Sequence, residues 1–364
     1  MGISGFWCNC GNSEEPFSMR QLESQETEID AISFEEFKNL IPEKIFNEIN
    51  NEKIDIINYK NNAGVKTLKV PNNLIENVEN INIKQIYYHG EFNEEGKKNG
   101  IGKMVIINKN DEKFFYHGIW ENDILNNGTI FYINGDKYIG ELKNYLRDGK
   151  GKYFSNLETY DGNWKNDLKD GEGSVVYKDG TTYQGQFKNN KFNGKGEMKW
   201  RDGTYYSGDF LNNLFDGEGY LIGKNKNTYK GKFSKGLFNG EGEFRWENRK
   251  ESYKGNYSNG KKDGKGEFHF KNGDIYNGNW ESGHPHGEGV YETKNRKYFG
   301  NWRSGMFMQL IDVENKEESE EENFNLNFKT PDEDIYDLEH IALSLNSNIS
   351  TRSILVHASF EVVK

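Results

Sequence analysis

The side chains with the clearest chemistry lie within the first ten residues of the chain. Gly2 follows the initiating methionine and is a candidate for N-myristoylation, and Cys8 and Cys10 are candidates for palmitoylation. The usual myristoylation pattern has serine or threonine at position six, where this chain has Phe6. One acyl chain binds a bilayer only marginally, whereas two or three hold it firmly. We therefore expect residues 1–12 to form an acylated anchor, the alternative being an unmodified tail.

Catalytic and cofactor motifs are absent from the sequence. The close pair His284 and His286 flanks Pro285 in a predicted turn, where imidazoles are common without a metal. The Gly-x-Gly pairs lack the third glycine and the following helix that a dinucleotide site requires. A zinc site needs more ligands than the two cysteines supply. We expect no catalytic residues, no metal site, no cofactor and hence no enzyme activity.

The composition and charge do not fit an ordinary compact domain. The 364 residues include 41 glycines, 21 tyrosines and 24 phenylalanines, but only 34% are hydrophobic. No apolar run is long enough to span a bilayer, and no secretion signal is present. The net charge is −11, yet residues 87–305 carry 35 basic and 31 acidic side chains. This small positive excess lacks the basic stripe of a nucleic-acid-binding protein, so we expect no nucleic acid partner.

The middle of the chain consists of a repeated pair of strand-like elements. Each repeat begins with Tyr-x-Gly-x-(aromatic or Leu) and continues with a Gly-x-Gly element such as Gly194-Lys195-Gly196. Both elements alternate with period two, which indicates strands. The tyrosines that begin the ten repeats are Tyr88, Tyr116, Tyr138, Tyr160, Tyr183, Tyr206, Tyr229, Tyr253, Tyr276 and Tyr298.

The glycines and the loops define the expected fold. A glycine between two aromatic residues on one face of a strand leaves a slot into which a ring fits. The loops between repeats contain Asn134-Gly135, Asp179-Gly180, Asp202-Gly203 and Asn272-Gly273, which favour type I′ hairpin turns. We expect residues 87–305 to form an all-β repeat array, an elongated single-layer antiparallel meander of about ten β-hairpins.

Two interpretations of the aromatic face remain open. The rings either form the thin core of the array itself or line a groove that accepts a segment of a partner protein. The candidate partner-binding residues are Tyr160, Trp164, Tyr183, Phe187, Tyr206, Phe210, Tyr229 and Phe233.

The complete repeat resembles the MORN (membrane occupation and recognition nexus) repeat, as in Tyr160-x-Gly162-x-Trp164 followed by Asp170-Gly171-x-Gly173. The resemblance covers roughly residues 86–305 and implies a β-hairpin array. It is less specific for function, because proteins with such repeats include lipid-kinase regulators, membrane tethers and cytoskeletal or ciliary scaffolds. The sequence departs from the pattern at three places, which are Asn126 in the second repeat, Leu142 in the third and the end of the tenth near Gly305.

The N-terminal flank, residues 13–86, is expected to be a helical and irregular cap. Ser33 and Glu36 form a capping box at the start of a helical pattern that Pro42 interrupts. Residues 54–86 alternate weakly and indicate irregular strands. We expect this flank to close the exposed first strand of the array, the alternative being a docking module.

The C-terminal flank divides into two segments. Residues 306–329 are expected to be a solvated acidic linker, because they include Glu317, Glu318 and their acidic neighbours. Residues 330–364 are expected to contain a short amphipathic helix, followed by a strand-like segment from Ser353 that could pair with a sheet edge.

The N-terminal positions and the resemblance together predict a non-catalytic scaffold. We expect it to hold partner proteins at the cytoplasmic face of a membrane, at the plasma membrane or cell cortex. Acyl chains, with a contribution from anionic phospholipid, would provide the membrane contact. Two alternatives are a structural component of a cytoskeletal or ciliary assembly and an array that binds phospholipid directly.

Overall fold

The computed structural model describes residues 30–31, 33–51, 64–70 and 83–315. The chain divides into two compact units, residues 1–155 and 156–364, which we call the N-terminal lobe and the C-terminal lobe. Each lobe is built from antiparallel strands joined in chain order.

In the N-terminal lobe, each strand pairs antiparallel with the strand that follows it in the chain. Two short helices precede the longer strands. The elements are β1 (Asp30–Ala31), α1 (Phe34–Asn39), α2 (Glu43–Asn51), β2 (Gly64–Val70), β3 (Ile83–Phe92), β4 (Lys98–Asn108), β5 (Lys113–Glu121), β6 (Ile124–Tyr132), β7 (Lys137–Lys143) and β8 (Leu146–Phe154).

The C-terminal lobe is a continuous antiparallel meander. Its strands are β9 (Glu158–Lys165), β10 (Leu168–Tyr177), β11 (Thr182–Lys188), β12 (Lys191–Lys199), β13 (Tyr205–Leu211), β14 (Leu214–Ile222), β15 (Thr228–Ser234), β16 (Leu237–Trp246), β17 (Glu251–Ser258), β18 (Lys261–His269), β19 (Ile275–Glu281), β20 (His284–Glu292), β21 (Arg296–Arg303) and β22 (Met306–Asn315). The expected all-β array of antiparallel hairpins is therefore confirmed.

The register places glycine opposite glycine within each hairpin from β3–β4 to β19–β20. Gly185 of β11 pairs with Gly196 of β12, and Gly208 of β13 pairs with Gly219 of β14. The face that carries these paired glycines also carries the repeat tyrosines, and we call it the ring face. The opposite face, which carries residues such as Gln184, is the outer face.

The turns correct one expectation from the sequence. At Asp179-Gly180 only the glycine has positive φ, and the loop has three residues between the hydrogen-bonded Tyr177 and Thr181. A three-residue loop takes a type I turn followed by a left-handed glycine. The Asp179 carboxylate then accepts from the Thr181 N–H at 2.9 Å. The predicted type I′ turns at the four loops between repeats, Asn134-Gly135, Asp179-Gly180, Asp202-Gly203 and Asn272-Gly273, are therefore wrong, since only glycine has positive φ in each.

Turns with two positive φ values occur instead inside the repeats, where two residues join the strands. Asn189 and Asn190 have φ of 49° and 65°. Both central residues of a type I′ turn require positive φ, which asparagine and glycine adopt most readily. The pairs with this geometry are Asn122-Asp123, Asn144-Tyr145, Asn166-Asp167, Asn189-Asn190, Asn212-Asn213, Lys235-Gly236, Asn259-Gly260, Ser282-Gly283 and Ser304-Gly305.

The N-terminal helices lie on the outer face of their lobe. The predicted capping box is confirmed, because the Ser33 hydroxyl accepts from the Glu36 N–H and the Glu36 carboxylate accepts from the Ser33 N–H. Apolar residues of both helices form a core with Val105, Phe115 and Phe131 of the sheet. The first array strand, β3, is instead closed by β2, which pairs with it. The helices therefore cover a face, and the edge is closed by a strand.

The end of the array also differs from the expected boundary. Residues 306–315 form strand β22, although the acidic linker was expected to begin at 306. The cause is the Ser304-Gly305 turn, whose two positive φ values, 48° and 82°, return the chain onto β21. The remainder of the predicted linker and the predicted segment 330–364 lie outside the described residues.

Candidate interaction surfaces

The glycine pairs of the ring face form slots for the repeat tyrosines. The Tyr183 hydroxyl donates to the Gln186 carbonyl at 2.8 Å. A Cβ added to Gly196 would lie 2.5 Å from the Tyr183 hydroxyl oxygen, so only glycine leaves room for the ring. Burial of the hydroxyl raises the pKa of Tyr183, and the negative charge of Glu172 raises it further. The tyrosines that donate in this way to the third residue after them are Tyr88, Tyr138, Tyr160, Tyr183, Tyr206, Tyr229, Tyr253 and Tyr276.

Neighbouring repeats are joined by aromatic contacts on the ring face. Tyr206 stacks on Phe215 with ring centroids 3.7 Å apart. It also makes edge contacts with Phe210 at 5.1 Å and with Phe233 of the next repeat at 5.4 Å. An aromatic pair of this kind contributes about 0.5–1.5 kcal/mol beyond its buried area. The rings therefore link each of these repeats to the next.

The eight aromatic residues that the sequence predicts as a candidate partner-binding set all lie on the ring face. They are Tyr160, Trp164, Tyr183, Phe187, Tyr206, Phe210, Tyr229 and Phe233, and none has more than 5% of its surface exposed. The rings form the core of the repeats, as the first of the two interpretations predicts. Because the rings are buried, a partner protein would contact the strands and not the rings themselves.

Four repeats carry a cation where others place a ring after the turn, namely Lys98, Arg147, Lys169 and Lys262. Lys262 pairs across its hairpin with Tyr257, as Phe238 pairs with Phe233. Lys262 is fully buried, and its Nζ lies 5.1–5.6 Å from the centroids of four rings. Those rings are Trp246, Tyr253, Phe268 and Trp280. A desolvated cation over aromatic faces is attracted by about 2 kcal/mol. Sequence reasoning missed this site, although alignment of the repeats puts Lys262 in the column that holds Phe192, Phe215 and Phe238 in the three preceding repeats.

Backbone hydrogen bonds, which we call clamps, tie several of the turns to the preceding repeat. The Asn213 N–H donates to the Phe192 carbonyl at 3.0 Å, and the Phe192 N–H donates to Asn213 Oδ1 at 2.7 Å. Asn190 makes the same two bonds with Lys169, at 2.9 and 2.8 Å. Because the clamps bridge separate hairpins, they fix the position of one repeat against the next.

The outer face of the C-terminal lobe is polar and accessible. Across three consecutive strand pairings, Lys230, Glu243, Lys254 and Glu267 form a row of alternating charge. The two lysines are exposed and the two glutamates are half-buried. Opposite charges directly across a pair of strands contribute less than about 1 kcal/mol each. Such a row leaves an accessible surface of mixed charge on which a polar partner surface could dock.

The outer face of the N-terminal lobe is covered by its helices. The Phe34 ring of α1 lies 4.6 Å from the His89 ring, and the Lys103 amine donates to the side chain of Asn50 in α2. Burial lowers the pKa of His89, which the positive charge of Lys103 lowers further. Burial also lowers the pKa of Lys103. Sequence reasoning missed both residues, since neither belongs to the repeat pattern.

The lipidation candidates Gly2, Cys8 and Cys10 lie outside the described residues. Across the described part of the chain, no group of three or more His, Cys, Asp or Glu side chains is close enough to hold a metal ion. A bilayer-spanning helix, which would have to be long and apolar, does not occur in that part either.

Comparison with known sequences agrees with the fold. No curated protein matches the chain. The MORN repeat model matches eight segments, and the repeats that begin at Tyr116 and Tyr298 are not matched. The matched segments are 88–110, 138–156, 160–182, 183–205, 206–228, 229–250, 253–275 and 276–296. Repeats of this kind are associated with membrane-binding and protein-binding scaffolds, and their all-β architecture is typically non-enzymatic. With eight such segments across residues 88–296, the chain belongs to the MORN repeat family.

Proposed function

We propose that this protein is a non-catalytic scaffold that holds partner proteins at the cytoplasmic face of a membrane. Acyl chains on Gly2, Cys8 and Cys10 attach the N-terminus, and the MORN repeat array presents the partner-binding surface. The burial of the aromatic rings is the observation that carries this proposal. Because the rings and clamps are used between repeats, the C-terminal lobe keeps one shape whether or not a partner is bound.

The outer face of the C-terminal lobe is the partner-binding surface in this proposal. Its row of alternating charge, Lys230 to Glu267, is exposed or half-buried and contributes little to the fold. A partner with the complementary pattern would be selected by charge and register. The eight buried rings act on the partner indirectly, because they hold these strands in place.

Attachment follows from the first ten residues. Each buried methylene of an acyl chain contributes about 0.8 kcal/mol, and a single myristoyl chain gives reversible binding. Palmitate on Cys8 or Cys10 supplies the second chain that stable attachment requires. Removal of the palmitate would release the protein, so the thioesters make the attachment reversible.

The mass of the N-terminal peptide tests the attachment. The protein is purified from its native cell, and the peptide is weighed before and after thioester cleavage with hydroxylamine. We expect a stable acyl mass on Gly2 and a labile one on Cys8 or Cys10. An unmodified peptide would overturn the proposed attachment and favour the cytoskeletal or ciliary alternative, which cofractionation with the detergent-resistant cytoskeleton would then support.

Membrane flotation separates acyl attachment from phospholipid binding by the array. The full chain is compared with the triple variant Gly2→Ala, Cys8→Ser, Cys10→Ser in the same cells. We expect the triple variant to lose flotation, while a control variant Ser4→Ala keeps it. If the triple variant still floats, the array binds the membrane directly and the lipidation proposal is wrong.

A further inference from the structure

Strand β22 presents an apolar surface at the edge of the C-terminal lobe. Met306, Met308, Leu310 and Ile311 each have 49–58% of their surface exposed. Elsewhere in the described residues, large exposed apolar side chains are scattered over many elements. Within that described part, β21 is the only strand that pairs with β22. An uncovered apolar edge strand is prone to pair with another chain.

The pairing of glycine with glycine that characterises the repeats is absent from β22. In the preceding repeat Gly278 lies opposite Gly289, whereas Gly300 lies opposite Leu310. The Phe307 ring occupies the space above Gly300, because a Cβ there would lie 2.4 Å from a ring carbon. Two register shifts interrupt the pairing of β21 with β22. Leu310 therefore takes the place of the second slot glycine in the hairpin of Tyr298, and the repeat pattern ends at β22.

At the opposite end of the array, a strand from outside the repeats covers the edge. Strand β2 belongs to the N-terminal flank and lacks the Tyr-x-Gly pattern. It pairs over seven consecutive residues with β3, the first strand of the array, and places Leu68 opposite Tyr88. The chain therefore already uses a flanking strand to close one edge of its repeats.

We propose that residues 353–363 close the other edge, as a strand antiparallel to β22. The sequence Ser353-Ile-Leu-Val-His-Ala-Ser-Phe-Glu-Val-Val has apolar residues at alternate positions. The segment has eleven residues, one more than the ten of Met306–Asn315, so it is long enough to pair along the whole strand. The segment carries the apolar face that β22 needs and has a β-branched and aromatic composition suited to a strand.

The positions of three charged residues favour an antiparallel pairing of the segment with β22. Asp312 and Glu314 lie near the C-terminal end of β22, and Arg352 immediately precedes the segment. An antiparallel return of the chain places Arg352 beside these two carboxylates. This pairing requires closure of the chain between β22 and residue 353, and the entropic cost of closing a loop rises only with the logarithm of its length. Ala358 then lies close to Met308, and His357 close to Gln309.

Disulfide trapping in the full-length chain tests this pairing. The background carries Cys8→Ser and Cys10→Ser, and Gln309→Cys is combined in turn with Leu355→Cys, His357→Cys or Ser359→Cys. A disulfide requires Cα atoms within about 7 Å, so we expect one of the three to form an intramolecular bond fastest. The matched control uses Lys254→Cys, which is exposed on the outer face of β17.

We expect the fastest Gln309 pair to form its disulfide at least about tenfold faster than the same cysteine paired with Lys254→Cys. Equal rates of disulfide formation with Gln309→Cys and with Lys254→Cys would show that residues 353–363 have no preferred contact on the array. That result would overturn the proposal. Disulfides found only between two chains would also overturn it, because the edge would then be covered by a second copy.

Hydrogen exchange of β22 gives an independent readout. Val356→Pro removes a backbone donor from the middle of the proposed strand, whereas Asn348→Pro lies outside it. We expect Val356→Pro to raise exchange of the β22 amides by about tenfold and Asn348→Pro to leave them unchanged. Unchanged exchange in Val356→Pro would show that residues 353–363 do not pair with β22.

Discussion

The outer faces of the two lobes differ in what covers them, although the ring faces of both contain glycine slots filled by repeat tyrosines. In the N-terminal lobe, Phe115 and Phe131 of the outer face lie under α1 and α2. In the C-terminal lobe, the corresponding surface carries charged side chains such as Lys230 and Lys254 in contact with solvent. The ring face thus specifies the fold of both lobes, and the outer face determines what each lobe contacts.

The ring face should be the most sensitive to substitution. A Cβ on Gly219 would lie 2.6–2.8 Å from three atoms of the Tyr206 ring. Gly219→Ala therefore expels the ring from its slot, and we expect a loss of about 3–5 kcal/mol in the free energy of unfolding, similar to deletion of a buried aromatic ring. Urea denaturation followed by tryptophan fluorescence measures this loss.

A double-mutant cycle identifies the slot as the cause. In a Tyr206→Ala background no ring remains to be expelled, so Gly219→Ala should then cost less than about 1 kcal/mol. If the two losses are additive, the glycine acts through the backbone, and the explanation of the ring face by slots is wrong.

A substitution in the core between the helices and the sheet should cause a somewhat smaller loss of stability. That loss should be confined to the N-terminal lobe. Phe37 of α1 is fully buried against the sheet. Phe37→Ala should weaken helix docking by about 3 kcal/mol and expose residues 33–51 to proteolysis. Phe34→Ala is the control, since Phe34 is 40% exposed. Limited proteolysis with mass spectrometry checks this, and accelerated cleavage within residues 156–315 would contradict a local effect.

A pH change should produce the smallest loss of stability. It should affect the outer face of the N-terminal lobe, where the helices dock over His89. Burial lowers the pKa of His89 in the folded lobe below the value of about 6.5 expected in the unfolded chain. The stability of helix docking is therefore complete above about pH 6.5 and falls as the pH drops towards the lowered pKa. Protonated His89 would face the Phe34 and Phe37 rings and the like charge of Lys103.

Hydrogen exchange of residues 33–51 at about pH 7.5 and about pH 5.5, corrected for intrinsic rates, measures this loss. We expect more exchange at the lower pH in the native chain and no such difference in His89→Gln. An equal pH dependence in His89→Gln would assign the effect to another group.

The features predictable from sequence depend on residues close together in the chain. The Tyr-x-Gly slot and the Ser33–Glu36 capping box each require only a few neighbouring side chains. The turn types were misassigned because they depend on how many residues the pairing leaves in each loop. The Asp179-Gly180 loop has three residues and Asn189-Asn190 has two, a difference that only the register reveals.

Long-range packing was not predictable in the same way. Period-two alternation shows which residues share a face, but not whether that face is covered by its own rings, as happens around Tyr206, or by helices, as happens around Phe115. Lys262 shows a related limit. A lysine next to the turn of a repeat resembles a solvated residue, and only the surrounding rings make it a core residue.

The contact of a repeat tyrosine with an aromatic residue of the next repeat, such as that of Tyr160 with Phe187, has a consequence for how such proteins change in length. If residues 183–205 were excised, Tyr160 would meet Phe210 in place of Phe187, and Lys169 would be clamped by Asn213 in place of Asn190. The new junction would reproduce the old one. Gain or loss of whole repeats by gene duplication or deletion is therefore a small step for this lobe, whereas insertion of a single residue is a large one.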